Sequence, residues 1–288
     1  MSAIRTTAAA SMLGVSPNTL RSWERRFGFP APARSTGGHR QYELAQIEAL
    51  RQALEELHNV SSAISVARER GEGPSSAARL VRAYGGFEEE RANRLLEESL
   101  VVRSVERTID ELLLPAVGRL ASSPGSAPSP EYETAWRHAT GWLSAQRRLA
   151  PQATRPEGVL VFDASAALDL EALHVQALEI ALRRAGLRTL TLTLGTETAR
   201  LGHALRALAP DAVVFAGGPA QLDTVGRLVY AVRAAAPGVD VLDFRDSLPG
   251  TGASTVGRLG AASLSARDAL LARLGRRSDP TGRVLGAS

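Results

Sequence analysis

The chain has 288 residues, 34 basic and 30 acidic, a net charge of +4, with 44% hydrophobic residues; this is too apolar for a disordered chain and long enough for more than one domain. Cysteine is absent, which excludes a disulfide scaffold, a thiolate zinc site, an iron–sulfur cluster and a cysteine nucleophile. No run of about 18 apolar residues offers a membrane span, Met1–Ala10 lacks the apolar core of a secretory signal, and a cytoplasmic protein is expected.

The charge is unevenly placed. From Met1 to Tyr42 six Arg face one acid, Glu24, a local net of +5; the rest of the chain carries 28 Arg against 29 acids, and there is no Lys. In chain order, Thr7–Leu13 reads as a short helix and Gly14-Val15 as a tight turn. Ser16 then caps a second helix with Pro17 at its first position. That helix offers Asn18, Thr19, Arg21, Ser22, Arg25 and Arg26 to its surroundings, with Leu20 inward and Trp23 and Phe27 on its apolar side. Helix, glycine turn and capped helix form a helix-turn-helix pattern. Phe29–Tyr42 follows, where Gly37-Gly38 between Arg34 and Arg40 suits a β-wing along a phosphate backbone.

The run Leu13-Gly14-Val15-Ser16-Pro17-Asn18-Thr19-Leu20-Arg21-Ser22-Trp23-Glu24-Arg25 and the wing Arg34–Tyr42 resemble the MerR family of winged-helix transcriptional regulators. The resemblance implies that the second helix enters the major groove of double-stranded DNA while the wing grips the flanking backbone. It nominates Ser16, Asn18, Thr19, Arg21, Ser22, Arg25, Arg34, Gly38, His39, Arg40 and Tyr42 as DNA-binding residues. Arginine contacts to phosphate supply affinity, and base contacts supply specificity. Trp23 stands where many relatives have Tyr, which points to the cobalamin-sensing branch of that family.

A helix from about Glu43 to Leu57 ends at His58, too short for a dimerising coiled coil, and a further short helix, Ser61–Arg70, follows. The expected division is a winged helix-turn-helix domain over 1–70, a Gly/Pro/Ser linker over 71–77, a helical bundle over 78–150 and an α/β domain over 151–288. In the bundle Leu95, Leu96, Leu100, Val105, Ile109, Leu112 and Leu113 recur at helical spacing, interrupted by a Ser/Pro-rich loop from Ser122 to Pro130. From Gly158 the period changes. Apolar runs at Val159–Phe162, Thr189–Leu194, Ala212–Phe215 and Val239–Phe244 alternate with helices at about Val175–Ala185, Thr198–Ala207 and Gln221–Ala235. That is the pattern of a doubly wound parallel sheet of Rossmann or flavodoxin type, whose ligands sit beyond the carboxyl ends of the strands. The fold class is thus multi-domain: an all-α winged helix-turn-helix, a helical bundle, then α/β.

This order, with Leu112–Gly118 in the bundle, resembles the light-responsive cobalamin-dependent repressors of the CarH and LitR type. The resemblance implies adenosylcobalamin held between bundle and α/β domain, tetramers on DNA, and release by light. The lower cobalt ligand in that group comes from Asp/Glu-x-His-x-x-Gly, and Ala172-Leu173-His174-Val175-Gln176-Ala177 retains only its His, placed as a loop residue before the first helix. Ala216-Gly217-Gly218 stands where the group has Ser-x-Leu. Asp243-Phe244-Arg245-Asp246-Ser247 replaces its Gly-Gly, so that Phe244 and Arg245 close the slot for the nucleotide tail. The bundle's Trp, nine residues, Glu-His motif fits in two registers, through Trp136 or through His138. The implied cofactor-facing set is His174 (as cobalt ligand), His138, Trp136, Trp142, Ala216, Gly217 and Gly218. Two alternatives stand beside cobalamin: another tetrapyrrole or small ligand, or no ligand and a protein–protein interaction module. No dinucleotide fingerprint, phosphate loop, nucleophile elbow or carboxylate pair flanking a His is present, and Asp163, Asp169 and Glu171 read as a solvated strand end. A non-enzymatic regulator, forming a homodimer or tetramer through its C-terminal domains, is expected; a symmetric dimer would read two half-sites.

Overall fold

The computed structural model describes residues 3–34, 38–57, 59–71, 75–121, 127–248 and 256–278. They fall into two compact units, Met1–Pro74 and Ser75–Ser288. Among the described residues no helix is long and apolar enough to cross a membrane. Ser35, Thr36 and Gly37 of the wing tip, His58, residues 72–74 of the linker and the Ser/Pro-rich loop's 122–126 lie outside the described residues.

The first unit comprises β1 (Ala3–Arg5), α1 (Thr6–Met12), α2 (Pro17–Phe27), β2 (Ala33–Arg34), β3 (Arg40–Glu43), α3 (Leu44–Glu56) and α4 (Val60–Gly71). It is the helical winged helix-turn-helix expected from the sequence, with the wing formed by short strands. An antiparallel sheet in the order β1-β3-β2 pairs Ile4 with Tyr42 and Arg34 with Arg40. Ser16 caps α2 by accepting from the Thr19 amide, and Gly28 ends it in the left-handed conformation that glycine adopts freely (φ +65°). Ala9, Leu20, Phe29, Tyr42, Ile47 and Leu50 form its core. The apolar faces of α3 and α4 close on each other through Ala53, Ala63, Ile64 and Ala67.

In the second unit a helical layer of α5 (Ala77–Gly85), α6 (Glu89–Val102), α7 (Val105–Thr108), α8 (Leu114–Leu120) and α9 (Pro130–Arg148) precedes a parallel sheet. A π-helical turn, Ile109–Leu113, joins α7 to α8. Pro115 lies just after it and has no amide hydrogen to continue an α-helical ladder, which favours the wider turn. The sheet holds β4 (Gly158–Asp163), β5 (Arg188–Thr193), β6 (Pro210–Ala216), β7 (Asp240–Asp243) and β8 (Gly257–Arg258), in the order β5-β4-β6-β7-β8. That is the flavodoxin-like winding, with its switch point between β4 and β6. Helices α10 (Leu170–Arg184) and α13 (Ser263–Ser278) pack one face, α11 (Thr198–Leu208) and α12 (Leu222–Ala235) the other. The two-residue β8 and helix α13 have no counterpart among the elements expected from the sequence.

Helix α10 starts at Leu170, five residues before the expected Val175, because the Asp169 side chain caps it by accepting from the Glu171 amide. Its Leu173, Ala177 and Ile180 enter the core of the helical layer, while Val175, Leu178 and Leu182 face the sheet. This one helix is therefore buried on two sides, and it couples the layers. Tyr132 donates to the Leu168 carbonyl (2.9 Å), Trp136 Nε1 to the Asp169 carbonyl (2.8 Å), Arg184 to Glu106 (2.9 Å) and Ser263 to Asp110 (2.9 Å).

Candidate nucleic-acid interface and ligand crevice

Along α2, Asn18, Arg21, Ser22, Arg25 and Arg26 are exposed on one side of a helix whose other side carries buried Leu20. Ser16 and Thr19 are tied at the amino end, Oγ to Oγ1 at 2.8 Å, and Arg21 Nη1 donates to Asn18 Oδ1 at 3.3 Å. Arg26 covers the Phe27 ring at 5.2 Å. An Arg and Asn paired on an exposed helix are chemically suited to guanine and adenine edges.

The wing meets this helix through Glu24, the sole acid of the basic segment. Arg40 Nε donates to both Glu24 oxygens (3.2 and 3.0 Å), and the Tyr42 hydroxyl donates to Oε2 (3.3 Å). Burial, and then the Glu24 carboxylate, push the Tyr42 phenol above its ordinary value. Tyr42 is 0% exposed, so it is a core residue that anchors the wing and not a phosphate contact: pairing of β3 with β1 turns its ring inward opposite Ile4. Arg40 remains 35% exposed at its side chain. Gly38 lies at φ +76°, where glycine is needed, and His39 beside it is exposed. Arg34 pairs its backbone with Arg40. Glu24 was visible in the sequence only as a charge; its partners lie 16 and 18 residues away and become neighbours through the sheet.

The residues expected around a cofactor are dispersed. Trp136 faces the β4–α10 loop, whereas His138 lies on the opposite side of α9, where its Nε2 donates to Asn93 Oδ1 (2.9 Å) and its Nδ1 accepts from the Tyr84 hydroxyl (3.0 Å). Two residues along a helix are separated by about 200°, so one surface cannot carry both. Trp142 shares the side of His138. Ala216 is fully buried in the sheet core and is not a ligand contact.

His174 sits in the second turn of α10, not in the preceding loop, because of the early Asp169 cap. Its imidazole makes no hydrogen bond among the described residues. Burial, then the nearby Arg245 guanidinium, pull its pKa down to about 4 against the opposing pull of Glu171. The imidazole is thus neutral at physiological pH, the form that ligates metals. The acid that would orient it is engaged elsewhere: Glu171 takes a bidentate pair from Arg245, at 2.6 and 2.8 Å.

Among the described residues the loops around this histidine close on one another. Gly217 adopts φ +96°, and a Cβ there would lie 2.6 Å from the Ser165 amide nitrogen, so the loops after β4 and β6 are in contact. Ser247 ties to this turn, donating to the Gly218 carbonyl (3.1 Å) and accepting from the Ala220 amide (2.8 Å). Phe244 is 0% exposed. Arg245 and Asp246 are consecutive left-handed residues, φ +61° and +54°, in the stretch where the cobalamin group has Gly-Gly. A neutral imidazole fits cobalt; among the described residues, the contacts of Gly217 with Ser165 and of Arg245 with Glu171 stand against a corrin with its nucleotide tail. Among the described residues a cavity of about 680 Å³ lies at this sheet end between the β5–α11 and β6–α12 loops, walled by Thr196, Gln221, Thr224 and Arg227.

The MerR HTH family regulatory protein model matches residues 4–63. The chain is 31% identical over 254 residues to the HTH-type transcriptional repressor CarA of Myxococcus xanthus, covering 81% of this chain and 84% of that protein. To the HTH-type transcriptional repressor CarH of the same organism it is 26% identical over 234 residues, covering 73% and 77%. Among solved structures, the monomethylamine corrinoid protein of Methanosarcina barkeri aligns with a TM-score of 0.51 at 12% identity, over 67% of this chain and 96% of that one. This is a likeness of fold.

Proposed function

Because the chain belongs to the family of MerR-type transcriptional repressors that includes CarA and CarH, we propose that it represses by reading an operator in double-stranded DNA with α2, with Arg34, His39 and Arg40 of the wing on the flanking phosphates. The observation that carries this is the exposed row Asn18, Arg21, Ser22 and Arg25 on a capped helix, held to the wing through Glu24. An electrophoretic shift with the DNA upstream of its own gene tests it. Retardation of that fragment in preference to scrambled DNA supports the reading; equal retardation of both overturns it.

The second unit then acts in assembly, joining copies of the chain into a dimer or tetramer. Supporting this, α3 and α4 bury their apolar faces against each other and offer no long helix for a coiled coil. Val101, Val102, Leu149 and Tyr230 of the second unit are largely exposed apolar groups. No catalytic role is proposed, in line with the repressor relatives.

For the signal, the closed crevice favours a protein that works without a corrin. A second reading, cobalamin held through His174, is favoured by that imidazole's neutral and unengaged state. Mixing the intact protein with adenosylcobalamin in the dark and removing free ligand separates the two. A colourless protein with unchanged assembly supports the first, and a red one whose colour is lost in His174→Ala supports the second.

A further inference from the structure

On the side of α9 turned away from the sheet lies a groove of about 560 Å³, within the usual range for small-ligand sites. It runs between α9 and the α5–α6 turn. Tyr84, Phe87, His138 and Trp142 supply its aromatic walls, and Glu89 stands at its mouth. Two features are unexplained by folding. Phe87 is 53% exposed and held at φ +56°, a left-handed conformation that a bulky residue adopts only under strain. It occupies the turn after α5, where glycine is the ordinary choice. Gly141 interrupts the middle of α9, where glycine weakens a helix, and a Cβ added there would meet nothing within 4 Å. His138 is held on both ring nitrogens, and burial lowers its pKa, so it lines the groove as a neutral ring.

The charges at the groove do not cancel. Arg137 is paired with Glu133 (2.6 Å) and Glu88 with Arg91 (3.0 Å). Glu89 has no ion-pair partner among the described residues, and its field reaches both Tyr84 and His138. Aromatic faces and an uncompensated carboxylate are the groups that recognise a cation on a hydrophobic body.

We propose that this groove binds a small organic cation, an aromatic or quaternary amine, with its apolar body along Trp142 and Phe87 over the space left by Gly141 and its charge towards Glu89. The site is separate from the crevice near His174, and its test involves no corrin.

Titration calorimetry on the full-length protein tests it, with benzyltrimethylammonium as probe and benzyl alcohol and benzoate as neutral and anionic comparators. The cation is expected to bind roughly tenfold tighter than benzyl alcohol, and benzoate to bind more weakly still. Phe87→Gly should weaken the cation at least about fivefold while the melting temperature holds or rises, since glycine takes the left-handed turn without strain. Gly141→Leu, whose first carbon meets open space, should fill the groove and abolish binding, and Glu89→Gln should weaken the cation several-fold. Equal binding of all three probes, no binding of the cation up to about 10 mM, or undiminished affinity in folded Phe87→Gly and Gly141→Leu would each overturn the assignment.

Discussion

Glu24 reverses the usual expectation for an acid facing DNA. Removing a negative charge from a DNA-binding surface ordinarily raises affinity through phosphate electrostatics. Here the carboxylate holds Arg40 and Tyr42 and thereby sets the wing against α2. Glu24→Gln is therefore expected to weaken operator binding by about 1–2 kcal/mol, as loss of a charge-assisted hydrogen bond does, with the salt dependence almost unchanged; a fluorescence-anisotropy titration checks it, and tighter binding would show that the wing does not depend on Glu24. His174 makes a second prediction at this scale. Its folded pKa of about 4 lies below the unfolded value near 6.5, so the unfolded chain binds the extra proton first. Its contribution is fully present above pH 6.5 and drains away as pH falls towards 4, by about 3 kcal/mol in order of magnitude. Denaturation midpoints between pH 7 and 4.5 should fall more steeply for the wild type than for His174→Gln. The residues legible in the sequence were those whose partners are local: Ser16 and Pro17 announce their helix from within one turn. Tyr42 was misjudged because its burial comes from β1, nearly forty residues earlier, through a three-residue strand without a periodic signature.

At the scale of elements, α10 governs the second unit. Alternation of apolar runs with helices revealed the parallel sheet, since strands buried on both faces are continuously apolar. The start of α10 is not legible in the sequence, where nothing distinguishes the capping Asp169 from a solvated loop acid. The later start expected from the sequence leaves His174 in a loop, whereas it sits in the second turn of the helix. The β7–β8 connection is the other deciding element. Arg245 and Asp246 hold a glycine-like backbone that costs strain of order 1–3 kcal/mol per residue, offset in part by the half-buried Arg245–Glu171 pair. Replacing both residues by glycine removes the strain and the pair together. The double variant Arg245→Gly, Asp246→Gly is expected to stay within about 1–2 kcal/mol of wild-type stability and to retain more adenosylcobalamin than the wild type, seen as visible absorbance left after desalting. A double variant that folds and remains colourless would show that the crevice is closed by more than this latch.

For the whole molecule, the asymmetry of charge marks the division of labour. The first 42 residues carry a net +5 and the remainder −1, so the basic surface sits on the unit that holds the helix-turn-helix, and the near-neutral second unit is left for assembly and signal. The order of the parts could be read from the chain because composition, helical period and strand pattern each change where one part gives way to the next. The fate of the ligand crevice could not, since it turns on contacts between loops 50 to 80 residues apart, such as Gly217 on Ser165 and Arg245 on Glu171. The central claim is that this protein is a sequence-specific repressor that reads DNA with α2. Its most direct measurement is a nuclease footprint of the intact protein on its own upstream DNA, with Arg21→Ala in parallel. The expected result is a bounded protected segment made of two related half-sites, lost as salt rises, and weakened in Arg21→Ala by about 1–3 kcal/mol at the bases that Arg21 reads. Protection spread evenly along the fragment, or a footprint indifferent to Arg21→Ala, would contradict it.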